Sequence, residues 1–217
     1  MNFVMLYSCG KDSALALHRM ISQGHSPVAL ITTYNNEANR SWFHGITTDL
    51  LSAIEKSTGI LIIRCICTGD TYESAVERCL TEARKMGAEA AVFGDIDIEE
   101  HLAWNRERCT VAGLKCVNPL WHESREALVR EAIDAGFKAM IKCVDLIHLD
   151  ESFLGETLDS ELMERIAATG SDICGENGEY HTFVYDGPIY HALIPLSLGE
   201  KINLGNHAVI DIEYFGE

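Results

Sequence analysis

An α/β fold built on a parallel sheet is what this sequence predicts, and three observations predict it. Short apolar runs alternate with helix-period segments through the first half, the runs are apolar on both faces, and a glycine-bearing polar loop joins the first run to the first helix. Residues 3–6 read as the first strand, and a helix over about residues 12–23 stops at Gly24. Residues 27–33 form the second strand. Asp49 is placed to cap a helix carrying Leu50, Leu51 and Ile54, which ends near Gly59. Residues 60–67, dense in β-branched side chains, are the third strand. Val76, Cys79, Leu80 and Ala83 fall at i, i+3, i+4 and i+7, one apolar helix face that stops at Gly87. Residues 90–93 make a fourth strand ending in Gly94-Asp95, followed by a polar helix over about 99–112 and a short strand at 115–117.

From Asn118 the rhythm loosens. Ser124 caps a helix through Ala135, residues 137–144 are an apolar run, and Asp159 caps a helix ending near Gly170. A glycine- and glutamate-rich stretch, 174–180, precedes strand-like segments at 183–185 and 208–214. A soft boundary near 118–121 divides a first unit, residues 1–118, from a smaller α+β lobe, residues 119–217.

Composition narrows the partners. Apolar residues make up 47% and charged residues 23% of the 217, enough for a real core. Acidic residues outnumber basic ones 33 to 17, and the resulting charge of −16 repels phosphate backbones, which excludes a general nucleic-acid binder. No apolar run approaches the ~18–20 residues that span a bilayer. The short apolar start lacks a basic leader and reads as a strand, not a signal peptide. The eight cysteines form no CxxC pair, as expected of reduced thiols used as small core residues in a cytoplasmic protein.

The chemistry begins at Ser8-Cys9-Gly10-Lys11-Asp12-Ser13. Where a strand turns into a helix, the leading N–H groups are unpaired and the dipole is positive, so anions bind there. Gly10 admits an oxygen close to the backbone, Lys11 adds charge, and Ser8 and Ser13 add hydroxyls. Asp12 would repel a phosphate unless a divalent cation lies between them. The spacing is neither a Walker loop nor a dinucleotide fingerprint.

The hexapeptide resembles the SGGKDS signature of the PP-loop ATP pyrophosphatases, enzymes that cleave ATP between its α and β phosphates. That resemblance implies a Rossmann-like domain of the adenine nucleotide alpha hydrolase type. It also implies that Lys11, Ser13 and the loop N–H groups hold pyrophosphate while Asp12 serves Mg2+. Cys9 departs from the pattern, standing where the family has glycine: either its backbone conformation is ordinary, or a positive φ strains it and weakens binding, and the expectation is a passive small replacement, against the alternative of an acidified thiol.

Further along, Gly94-Asp95-Ile96, then Arg106, Cys109 and Gly113, then Pro119-Leu120-Trp121, Leu154-Gly155 with Asp159, and the run from Cys174 to Thr182 with Asp186 and Pro188 follow in order. Together they resemble the diphthine–ammonia ligase family over nearly the whole chain. The resemblance implies ATP-dependent amidation: a carboxylate attacks the α-phosphate, giving an acyl-adenylate and pyrophosphate, and ammonia from ammonium displaces AMP. The acceptor it implies is the diphthine side chain of elongation factor 2.

Residue roles follow as expectations. Lys11, Asp12, Glu176 and Glu179 are the catalytic candidates. Glu176 and Glu179 are expected to line the acceptor pocket, with Tyr180 beside a quaternary ammonium group, Gly178 leaving room and Thr182 bonding the acceptor. His181 is read either as the proton acceptor for ammonium or as a polar loop residue. Gly94 and Asp95 end a strand, where open α/β sheets bind ligands, and are assigned to nucleotide or metal. Arg106 is read as offsetting α-phosphate charge or as a helix-surface ion pair. His44, after Trp42-Phe43, is read as site or structure, and Thr32 with its neighbours as meeting adenine through the backbone. Two alternatives stay open: a PP-loop ligase amidating another, small-molecule carboxylate, and an ATP-binding sensor without turnover. A transfer-RNA thiolase fits less well, since the chain has neither a cysteine pair nor a basic surface.

Overall fold

A computed structural model describes residues 1–42 and 44–216 of the chain. Five strands form a parallel sheet: β1 (Asn2–Leu6), β2 (Ser26–Asn35), β4 (Ile62–Ile66), β5 (Ala90–Val92) and β6 (Lys115–Val117). β1 lies at the centre, flanked by β2 and β5, with β4 outside β2 and β6 outside β5; the two-residue β3 (Arg40–Ser41) pairs antiparallel with the end of β2. A second, antiparallel sheet takes the order β8 (Tyr180–Asp186), β7 (Lys138–Asp145), β10 (His207–Tyr214), β9 (Leu196–Asn203). The α/β class and parallel sheet expected from the sequence are therefore present.

Strand periodicity decides what covers each face. Phe3, Met5, Ala90 and Val92 point to one side, where α1 (Lys11–Ser22), α2 (Thr48–Thr58) and α5 (Arg125–Asp134) contribute Leu15, Leu50 and Leu128. Val4 and Ala91 point to the other, against Val76 and Leu80 of α3 (Tyr72–Lys85) and Cys109 of α4 (Glu99–Ala112). The first of these clusters continues without a break into the second sheet, through Met140, Phe183 and Ile210, and into α6 (Ser160–Ala168) through Ile166.

The expected helix caps hold at Ser124 and Asp159, whose side chains accept from Ala127 and Leu162 N–H groups. At α2 the cap is Thr47, which accepts from Leu50 N; Asp49 instead occupies the first turn, where its charge meets the positive end of the dipole. β3 and β9 had no counterpart in the sequence reading. β3 is too short to show alternation, and β9 is exposed along seven of its eight residues, so it carries no buried face to read. Among the described residues, no helix is long and apolar enough to cross a membrane.

Candidate active site

A cavity of about 540 Å³ opens at the carboxyl ends of β1, β2 and β5. The sheet order reverses there, with the chain running outward through β2 on one side of β1 and through β5 on the other, the position where open α/β sheets hold ligands. The second sheet closes the far wall through the start of β8 and the loop before it. The volume suits a nucleotide-sized molecule.

The phosphate loop forms the floor. Ser8, Lys11, Asp12 and Ser13 line the cavity, and α1 begins at Lys11 behind an N-cap glycine, Gly10, that has no side chain to cap it. The two hydroxyls form a relay: Gly10 N donates to Ser8 Oγ (3.2 Å), Ser8 Oγ to Ser13 Oγ (3.2 Å), and Ser13 Oγ to the Gly10 carbonyl (2.9 Å). Lys11 is buried; its Nζ donates to Asp12 Oδ2 at 2.7 Å and to the Cys174 carbonyl. Burial is the largest single influence and works against the lysine's charge, but Asp12, Cys174, Tyr180 and Glu176 together outweigh burial and hold the pKa up.

Cys9 is not in ordinary conformation. Its φ is +70°, the left-handed region that favours glycine, so the thiol stands on a backbone that costs it of order 1–3 kcal/mol. The expectation of a passive thiol fits its surroundings, since Cys9 is fully buried and burial drives its pKa far up. Its side chain meets Thr32 of the cavity wall, and its carbonyl accepts from Val184 N of β8 at 2.9 Å. A second stitch joins the same elements: Lys11 N donates to Thr182 Oγ1 at 3.0 Å.

Gly94 is required by contact. A Cβ there would lie 2.9 Å from Ser13 N and 3.0 Å from Asp12 C, inside the first turn of α1. Asp95 follows, lining the cavity and held by α4, accepting from His101 Nδ1 (3.1 Å) and Asn105 Nδ2 (2.7 Å). Thr32 lines the cavity at the end of β2, donating its hydroxyl to the Tyr7 carbonyl.

His44 lies between the phosphate loop and β8. A Cβ on Gly10 would stand 2.7 Å from its Cε1, and its Nδ1 is 2.7 Å from the Thr182 carbonyl. A carbonyl only accepts, so Nδ1 carries the proton. Burial, then His181 at 5.1 Å between ring centroids, lowers the His44 pKa to about 3, and burial also lowers that of His181; both imidazoles are neutral. Phe43, part of the sequence argument for His44, lies outside the described residues.

The acidic loop separates its two glutamates. Glu176 lines the cavity with Gly178 and His181, and burial, followed by the nearby Asp12, raises its pKa to about 7. Glu179 does not line it. It is 3% exposed and turned into its own loop, Oε1 accepting from Asp172 N and Asn177 Nδ2 and Oε2 from Asn177 N, so it fastens the turn. Tyr180 borders the cavity, but the cation over its ring is Lys11, 5.6 Å from the centroid. Arg106 lies on the exposed side of α4, away from the cavity wall.

Several lining residues escaped the sequence reading. His101, Trp104 and Asn105 sit at i, i+3 and i+4 on α4, a spacing that puts them on one face and was available as a signal. Tyr72 meets Trp104 with ring centroids 5.9 Å apart. Among the described residues, Asp12, Cys174 and Glu176 bring their ligand atoms within 4.8 Å of one another. Asp12 and Glu176 offer the hard oxygens that magnesium takes, whereas Cys174 is a soft donor kept protonated by burial; the pair of carboxylates fits Mg2+.

Known proteins now bear on this arrangement. Residues 1–116 match the model of the diphthamide synthase N-terminal domain, and residues 124–215 that of the C-terminal domain. This chain belongs to the diphthamide synthase family. Diphthine–ammonia ligases of rat and human are 25% and 26% identical over 239 aligned residues, covering 99% of this chain and 90% of each relative. The diphthine–ammonia ligase of Schizosaccharomyces pombe is 24% identical over 93% of the chain and 37% of its own length. A solved structure described as a predicted subunit of tRNA methyltransferase from Methanocaldococcus jannaschii shares the fold, with a TM-score of 0.50 at 15% identity, covering 85% of this chain and 96% of that one. The family and the enzyme class of its relatives, diphthine–ammonia ligase-like, are those the sequence motifs resemble.

Proposed function

We propose that this diphthamide synthase family member amidates a carboxylate with ATP and ammonium, and that the acceptor is diphthine on elongation factor 2; its relatives' name, diphthine–ammonia ligase, supports the joining of diphthine and ammonia. One observation carries the reading: the first turn of α1, with Lys11 and Asp12 on it, faces Glu176 in a cavity at the sheet's switch point. Triphosphate belongs at that helix end, where the positive end of the dipole and Lys11 hold the leaving pyrophosphate. The base takes the wall of Thr32, Tyr72 and Trp104, which is largely aromatic. Magnesium, when held by Asp12 and Glu176, offsets phosphate charge.

The acceptor carboxylate enters beside Gly178 and His181 and attacks the α-phosphate, and ammonia then displaces AMP from the acyl-adenylate. His181, kept neutral by burial, accepts the proton that ammonium must lose. Alignment contributes to the rate, because Lys11 and Asp12 stand on the first turn of α1, His181 on β8, and Glu176 and Gly178 on the loop that leads into it.

Incubation with ATP, Mg2+ and ammonium, with and without elongation factor 2 arrested at diphthine, tests this. AMP and pyrophosphate that depend on the acceptor, with conversion of acid to amide by mass spectrometry, are expected. AMP without amidation would move the acceptor to another carboxylate, and absence of AMP under every condition would overturn ligase activity in favour of a nucleotide-binding sensor.

A further inference from the structure

Arg125, the first residue of α5, touches no wall of the cavity and yet fastens two of them together. Its Nε and Nη2 donate to the two oxygens of Asp97 at 2.8 and 2.7 Å, and its Nη1 donates to Asp172 Oδ2 at 2.5 Å. Asp97 stands two residues beyond Asp95, on the loop leaving β5. Asp172 is the hub of the acidic loop: its Oδ1 accepts from Cys174 N (3.0 Å) and its Oδ2 from Glu176 N (3.2 Å). The backbone that presents Glu176 is therefore wound about a carboxylate whose outside anchor is Arg125.

From this geometry we infer that Arg125 is a positioning residue, holding Glu176 opposite Asp12 so that the two carboxylates bind a divalent cation as a pair. The inference rests on the proposed cation site. Fork geometry matters as much as charge. A planar guanidinium spans Asp97 in bidentate fashion while a third nitrogen reaches Asp172, which a single ammonium cannot reproduce. The interaction is also more than a surface ion pair, because the Arg125 side chain is 26% and the Asp172 side chain 14% exposed. Without the guanidinium, Asp97 and Asp172 lose their shared counter-charge and the Glu176 loop loses its link to β5.

Mn2+ binding to the full-length protein, followed by electron paramagnetic resonance with an ATP analogue uncleavable between the α and β phosphates, tests the assignment without turnover. Arg125→Ala should weaken Mn2+ by about 10–100-fold, as loss of an outer-shell partner does, while metal-free nucleotide affinity changes by less than about twofold. Arg125→Lys should fail to restore binding. On a Glu176→Gln background, Arg125→Ala should add less than about twofold, because two residues acting through one route are not additive. Asp172→Asn, a second variant that keeps one acceptor oxygen, should shift affinity in the same direction, with thermal unfolding confirming that each variant is folded. Unchanged Mn2+ affinity in Arg125→Ala, or an equal loss on the Glu176→Gln background, would overturn the inference and leave the ligase reading standing. Failure of the native protein to bind Mn2+ with the analogue would overturn the cation site and the inference together.

Discussion

The phosphate loop and the acidic loop face each other across one cavity, yet they are built on opposite principles. Residues 8–13 draw their chemistry from their neighbours: a helix end, a lysine, an aspartate and two hydroxyls within one turn. The stretch 172–182 is assembled from a distance, through Arg125, Lys11 and Asp12, which lie tens to more than a hundred residues away in sequence. The first kind of site tolerates little change inside itself, and the second depends on residues far outside it.

Substitutions can break that contrast. The largest effect is expected for Lys11→Ala, which removes the cation beside the α1 terminus. AMP formation should fall by about 10²–10³-fold, as when a single electrostatic donor is lost, and steady-state AMP release measures it. Gly94→Ala should follow, since the new Cβ meets the α1 backbone at 2.9 Å; overpacking costs about 1–3 kcal/mol, read as a lower melting temperature together with weaker nucleotide binding.

Glu179→Gln tests the acidic loop alone. A carboxamide cannot accept with both ends, so one donor on Asn177 or Asp172 loses its partner, at a cost of about 1–3 kcal/mol. Thermal stability and amidation should fall while nucleotide affinity stays. Because His44 joins the loops, its protonation should loosen both. Its folded pKa, about 3, lies below the ordinary 6.5, so the unfolded chain binds the proton first and stability declines as pH falls from 6.5 toward 3. Urea titrations across that range should show a shallower decline in His44→Gln. Smallest of all is Cys9→Gly: strain at φ +70° is relieved while glycine adds unfolded-state entropy and a buried thiol is lost. Stability should move by less than about 1 kcal/mol, by calorimetry.

The same contrast sets what the sequence could disclose. Strands and helices of the parallel sheet were legible because each carries its own period, and Ser8, Lys11, Asp12 and Ser13 because the phosphate loop is contiguous. Gly94 and Asp95 were legible as a strand end. Glu176 and Glu179 looked alike, three residues apart, and only folding turns one to the cavity and the other into the turn. Arg106 looked like the useful arginine, yet it faces outward, while Arg125 carries the clamp; nothing local to either distinguishes them. For Cys9 the sequence left ordinary and strained conformations open, and the turn into α1 takes the strained one, with φ at +70°. Tyr180 was assigned to an external cation that the buried Lys11 already replaces.

The apolar cluster that runs from Phe3 to Ile212 beneath both sheets has a mechanical consequence. A hinge that swung the second sheet away from the first would uncover Phe183 and its neighbours and break both the Val184–Cys9 and Lys11–Thr182 bonds. Substrates must then enter and leave without the two sheets parting, and the chain should melt in a single cooperative transition.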